Sequence, residues 1–150
     1  MDEIDRSLLK RMQANADLSL IDLGEEVGLS ASAVQRRIAR LREDGIISGL
    51  FAKLDQQRLG LPVTIVTLVR FERDAADSTS ALTEKLRKRP EVQQLHTLAG
   101  QHDLFVLVVV GDLSDYTNGV LADLESDKNV NRLETNISLG VIKATHELPV

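Results

Sequence analysis

The chain has 150 residues and a net charge of −5, with 43% hydrophobic residues, 3% aromatic residues, no tryptophan and no cysteine. That length fits one moderate domain or two small ones, and the core must be built from Leu, Val and Ile. Without thiols there are no disulfides and no thiolate metal sites, which fits a reducing compartment. Met1 to Asp5 lacks the basic and apolar regions of a signal peptide, and the longest apolar run, Leu104 to Val110, is too short to span a bilayer. The expectation is a soluble, cytoplasmic protein with no membrane partner.

No proline precedes Pro62. Ile4, Leu8 and Met12 recur at helical spacing, with Leu9 beside them, and predict a first helix with acids at its start to suit the dipole. Ser19 is placed to cap a short second helix carrying Leu20, Leu23 and Val27. Gly28 suits the left-handed position just past a helix end. Ser30 then caps a third helix from Ala31 to Asp44, with Val34, Ile38 and Leu41 as its apolar stripe and Gly45 as its stop. Ile46 to Leu54 reads as a short extended segment broken by Gly49, and Asp55 to Leu61 as a connector closed by Gly60 and Pro62.

Beyond Pro62 the rhythm changes. Val63 to Phe71 is β-branched and reads as a strand. Ser78 to Arg89 reads as a helix stopped by Pro90, and Val92 to Ala99 as a strand. Gly100 to Asp103 is a tight turn, and Leu104 to Val110 is a strand with no polar residue. Ser114 to Glu125 reads as a helix capped by Ser114, with Tyr116, Val120 and Leu124 in line. Leu133 to Val141 alternates as a last strand. The order β-α-β-β-α-β predicts a ferredoxin-like domain. The fold class is therefore α+β, organised as a helix-turn-helix over 1–45, a hinge strand and linker over 46–61, and a βαββαβ domain over 62–150. A sheet with both helices on one face exposes the other, yet Leu104 to Val110 and Val63 to Val69 are apolar on both. A second copy of the chain, paired isologously, is the expected cover.

Charge is unevenly spread. Residues 1–53 hold eight Lys/Arg and nine Asp/Glu, a net of −1, yet Val27 to Arg42 holds four arginines and no acid. Taken alone, such a stripe is an ordinary solvated helix face. Here it follows a short helix through Gly28-Leu29-Ser30, which is the geometry of a helix-turn-helix. The predicted partner is therefore double-stranded DNA. Ser30, Ser32, Gln35 and Arg36 sit toward the start of the third helix, with Ser32, Gln35 and Arg36 placed for base edges in a major groove. Arg37, Arg40 and Arg42 are candidates for phosphates. A dimer would set two such helices side by side on a two-fold-related site.

Several positions together carry a resemblance: Ile4-Asp5, Leu23, Val27 to Ser30, Arg37, Leu41, Gly45 to Ile47, Leu59-Gly60, Pro90 to Val92, Gly100-x-x-Asp103, and Val130 onward to Lys143. In this order and spacing, over nearly the whole chain, the sequence resembles the Lrp/AsnC family of bacterial and archaeal regulators, also called feast/famine proteins. The resemblance implies dimers paired through their sheets, rings of four dimers in many members, and amino-acid effectors bound between dimers near the turn matched by Gly100 to Asp103. It implies no cofactor beyond such an effector. In that turn Gly100 would let a ligand reach the backbone, and Asp103 would pair with an α-ammonium. Thr135, Asn136 and Ser138 would add hydrogen bonds. The competing reading is a plain hairpin turn in which Asp103 bonds its own backbone. The family commonly carries an acid and an aromatic between that Gly and Asp, where this chain has Gln101 and His102. Two further readings stand beside a regulator: an enzyme similar to the siroheme decarboxylases, which share the architecture, and an assembly module that senses a ligand without binding DNA.

Overall fold

A computed structural model describes residues 1–72 and 76–150, with side-chain surroundings for 1–72 and 81–150. Two compact units are present, Met1–Lys53 with Ile142–Val150, and Leu54–Val141.

The first unit holds α1 (Glu3–Ala14), α2 (Leu20–Val27) and α3 (Ala31–Glu43). Asp2 and Asp5 form a reciprocal capping box at the start of α1, as do Ser19 and Asp22 at the start of α2. Leu8, Leu23, Val34 and Ile38 form the core, with Ile4, Met12, Leu18, Val27 and Ile47 packed around it. The helical stripes are thus the buried ones, and Leu41 is buried with them. After Gly45, at φ +71°, the amides of Ile46 and Ile47 both return to the Leu41 carbonyl and close the helix. The tail Ile142–Val150, which the sequence pattern assigned to the second domain, groups with these helices. There the Gln13 side-chain amide pairs with both backbone groups of Leu148.

The hinge strand expected from Ile46 to Leu54 does not form in the single chain. A strand needs a ladder partner, and among the described residues no strand pairs with this segment. Its Leu50, Phe51 and Leu54 side chains are exposed.

The second unit is a four-stranded antiparallel sheet of β1 (Val63–Phe71), β2 (Val92–Thr97), β3 (Leu104–Val110) and β4 (Val130–Ile137), in the order β2-β3-β1-β4. One helical layer joins it: α4 (Ala76–Arg87), and the run α5 (Leu113–Tyr116), a π-helical segment (Thr117–Leu121) and α6 (Ala122–Ser126). Each half of this unit crosses over one intervening strand, which is the ferredoxin-like arrangement. Ile65, Val69, Leu104, Val106, Val108 and Val110 pack against Leu82, Leu86, Tyr116, Val120 and Leu124. The Tyr116 hydroxyl joins Thr67, at 2.8 Å, to Thr135, at 2.9 Å, so this buried polar chain is satisfied. The helix after β3 is capped by Asp112 rather than by Ser114. Asp112 is extended and accepts the Asp115 amide, while Ser114 already has its hydroxyl bonded to Asp112. The sheet's other face carries Val66, Leu68, Phe105, Leu107 and Val109, all half-buried. Among the described residues no helix is long and apolar enough to cross a membrane.

Candidate nucleic-acid interface and effector loop

The turn between α2 and α3 is built by three local choices. Gly28 adopts φ +69°, where a side chain would strain the backbone. Ser30 is extended, and its hydroxyl accepts the Ala33 amide at 3.3 Å. Gly24 lets α2 approach the turn, because a Cβ there would collide with the Leu29 carbonyl oxygen. The Leu29 amide in turn donates to the Gly24 carbonyl at 2.9 Å, which fixes the approach. The sequence reading missed Gly24; a glycine inside a short amphipathic helix was the available signal.

Burying Val34, Ile38 and Leu41 turns Ser32, Gln35, Arg36, Arg40 and Arg42 outward, and all five are exposed. Among the described residues the side chains of Gln35, Arg36 and Arg42 have no hydrogen-bond or ion-pair partner. Ser32 contacts only the hydroxyl of Ser30, at 3.1 Å. Arg36 lines an open cleft of about 400 Å³ with Leu29, Ala33, Arg37 and Arg40.

Arg37 and Arg40 are placed differently from a simple phosphate-facing role. Arg37 Nη1 bonds Asp2 Oδ2 and Asp5 Oδ1, both at 2.7 Å, and Arg40 Nη2 bonds Asp5 Oδ2 at 2.7 Å. The Asp5 side chain is fully buried, so these charge-assisted bonds tie the start of α1 to the middle of α3. The Asp5 amide, and then Arg37, hold the Asp2 carboxyl at about 2, against an ordinary 3.8. Burial raises the Asp5 carboxyl, but the Asp2 amide and Arg37 outweigh it and leave it lowered. The same acids raise Arg37. Arg40 keeps half its side-chain surface in solvent, whereas Arg37 keeps a quarter. Arg40 therefore keeps part of its guanidinium open to solvent.

In the second unit, Gly100 to Asp103 is a bend between β2 and β3. Asp103 stitches it to β1. Its amide donates to the Val69 carbonyl at 2.8 Å, and its carboxylate Oδ2 accepts the Phe71 amide at 2.8 Å. One carboxylate oxygen thus already serves the fold, through β1 rather than through the turn's own backbone. Nothing crowds the space beside Gly100.

The three β4 residues expected beside this bend do not converge on it within one chain. Thr135 faces the helical layer and is bonded to Tyr116. Asn136 pairs with Val66, and the Ser138 amide bonds Thr64, so they lie about 10 and 17 Å along β1 from Val69 at strand rise. The β1–β4 register instead brings Arg132 opposite Arg70 and Glu134 opposite Leu68. Arg70, Arg132, Glu134, Gln101 and His102 line a cavity of about 250 Å³, with His102 Nε2 3.4 Å from Glu134 Oε2. Sequence alternation put Glu134 on one face of the last strand with Asn136 and Ser138, but the strand starts at Val130, ahead of the expected Leu133, and the register that joins Arg132 to Arg70 is a pairing property and was not legible.

Comparison with known proteins agrees with this architecture. Residues 1–48 match the model of a winged helix-turn-helix DNA-binding family, and residues 64–148 match the Lrp/AsnC ligand-binding domain. The transcriptional regulator AzlB of Bacillus subtilis is 30% identical over 150 residues, covering 100% of this chain and 96% of AzlB. An AsnC-family transcriptional regulator from Agrobacterium tumefaciens superposes with a TM-score of 0.92 at 29% identity, covering 99% of this chain and 97% of that one. A transcriptional regulator from Neisseria meningitidis, solved as a complex with L-Met, superposes with a TM-score of 0.89 at 29% identity, covering 99% and 96%. A helix-turn-helix with a free polar helix face, a ferredoxin-like domain following it in the chain and end-to-end matches to regulators together make this chain a member of the Lrp/AsnC family, a DNA-binding transcriptional regulator rather than an enzyme.

Proposed function

We propose that α3 reads the major groove of double-stranded DNA, with Ser32, Gln35 and Arg36 toward base edges and Arg40 and Arg42 toward phosphates. The observation that carries this is the face of α3 itself: Gln35, Arg36 and Arg42 are exposed and unengaged on a helix that has no acid in its first turn. Gln presents the paired donor and acceptor that suit adenine, and Arg the fork that suits guanine. Ser30 serves as the cap that orients the helix. Arg37 acts chiefly by holding α1 against α3, and Arg40 does both jobs.

Residues 1–45 form the reading module, 46–61 the connection, and the sheet domain from residue 62 the effector and pairing module. Two copies meet through the half-buried face around Leu68, Phe105 and Leu107, presenting two α3 helices to a two-fold-related site. Assembly into rings of four dimers rests on the family resemblance. An amino acid bound beside Gly100 to Asp103 modulates that assembly or its DNA affinity; the L-Met complex of the Neisseria relative supports this reading. An electrophoretic shift assay on the gene's own upstream region tests the DNA assignment. Arg36→Ala is expected to weaken binding at least about tenfold, the scale of one lost bidentate contact. Unchanged binding refutes it and favours an assembly module without DNA recognition.

A further inference from the structure

Resting on the reading of α3 as the helix that meets DNA, we propose that Asp5 is a positioning residue for DNA binding: its buried carboxylate sets Arg37 and Arg40 side by side as a seat for one backbone phosphate. Arg37 and Arg40 are three positions apart on α3, so they are neighbours on its surface, where like charges repel. Asp5 reaches across from α1 and accepts both, Arg37 on Oδ1 and Arg40 on Oδ2, each at 2.7 Å. The Asp5 side chain is fully buried, so it offers nothing to DNA itself. Each arginine uses one terminal nitrogen on acids, Nη1 of Arg37 and Nη2 of Arg40. Among the described residues, Nε and the other terminal nitrogen of each have no partner. Both residues line the open cleft of about 400 Å³ beside Arg36.

Support of the fold does not by itself require the second arginine. The Asp5 carboxylate already has a partner on each oxygen, Arg37 on Oδ1 at 2.7 Å and the Asp2 amide on Oδ2 at 3.0 Å. Arg40 adds a third bond while 52% of its side-chain surface stays in solvent, where an ion pair returns little stability. The bond instead holds a long side chain still. Arginine has many rotamers to lose when it meets a ligand, and fixing it beforehand removes that cost from binding. Arg36, Arg37 and Arg40, set against Asp2 and Asp5, leave one net positive charge at the cleft, the complement of one phosphodiester. The guanidinium fork suits that group. Arg37 thereby gains a role beyond holding α1 to α3.

Fluorescence anisotropy tests this, with the full chain titrated into a labelled duplex from the gene's own upstream region over a range of potassium chloride concentrations. Asp5→Asn removes a negative charge close to DNA, so electrostatics alone predict tighter binding. Loss of the seat predicts the opposite: binding about tenfold weaker, and a plot of log K against log salt shallower by about 0.9. A residue that only supports the fold would not flatten that slope in a variant shown by circular dichroism to be folded. Asp2→Asn keeps a competent helix cap and both arginine bonds to Asp5, and is expected to tighten binding about twofold at low salt. If the wild type binds and Asp5→Asn binds as tightly or more tightly, or Asp2→Asn loses as much as Asp5→Asn, the seat falls and the reading of α3 stands. If the wild type does not bind, both fall. Should Asp5→Asn not fold, duplexes carrying one uncharged methylphosphonate at successive positions decide. One position is expected to weaken the wild type about tenfold and to leave Arg37→Gln and Arg40→Gln indifferent. Separate positions for the two arginines, or none, overturn the shared seat.

Discussion

Gly24→Ala separates the close approach within the helix-turn-helix from ordinary helix propensity, because the two act with opposite sign. In an unconstrained helix this change stabilises by about 1 kcal/mol. Here the added Cβ meets the Leu29 carbonyl oxygen, which is backbone and cannot swing aside as a flexible side chain would. The Leu29 amide is itself held by the Gly24 carbonyl, so relief requires moving the Gly28–Ser30 turn away from α2. Overpacking of this kind costs typically 1–3 kcal/mol; against rigid backbone the upper end applies, leaving a net loss of about 2 kcal/mol after the propensity gain. For a unit of this size that lowers Tm by roughly 10 °C. The displaced turn also shifts α3, so DNA affinity falls in parallel. Circular dichroism melts of the full chain, with Gly28→Ala alongside, give the comparison. Gly28 has open space around it and only the left-handed penalty of about 1–2 kcal/mol. If Gly24→Ala melts above the wild type, the close approach is wrong.

The Asp2–Asp5–Arg37–Arg40 network gives a pH dependence of defined sign. Both carboxyls are held below their ordinary value in the folded state, Asp2 at about 2. Their contribution is therefore fully present above about pH 4 and is lost as pH falls toward 2. The amide protection of α1 in hydrogen exchange is expected to drop across that window, and Asp5→Asn is expected to reduce it already at pH 7. Protection that stays flat from pH 5 to 2 contradicts the network. In the other unit, Tyr116→Phe leaves the fully buried Thr67 without its hydroxyl partner, and chemical denaturation is expected to show a loss of about 1–3 kcal/mol. A neutral result means that Thr67 finds another acceptor.

What sequence revealed and what it hid divide along physical lines. Stripes such as Val34, Ile38 and Leu41, and caps such as Ser19 and Ser30, are local signals, and the structure buries or bonds them as expected. The β-α-β-β-α-β order was legible from composition and spacing. Hidden features were those that depend on residues far apart in sequence. Arg37 and Arg40 looked like free cations because Asp5, their partner, is 32 and 35 positions away. Arg70 and Arg132 meet only through the β1–β4 register. Thr135 read as a ligand donor, yet the same register sets it opposite Thr67 and against Tyr116. The hinge strand failed for a related reason: its apolar residues invite pairing, but none of the described strands pairs with it.

The central claim is that α3 reads sequence and does not merely attach to phosphates. Selection of binding sites from a random duplex library, by wild type and by Gln35→Ala, tests it most directly. The wild type is expected to enrich a two-fold-symmetric site. Gln35→Ala is expected to lose preference at one base pair in each half-site while keeping the others, since Gln35 is exposed and unengaged by the fold. Identical enriched sites from the two proteins, or no enrichment by either, would contradict the claim.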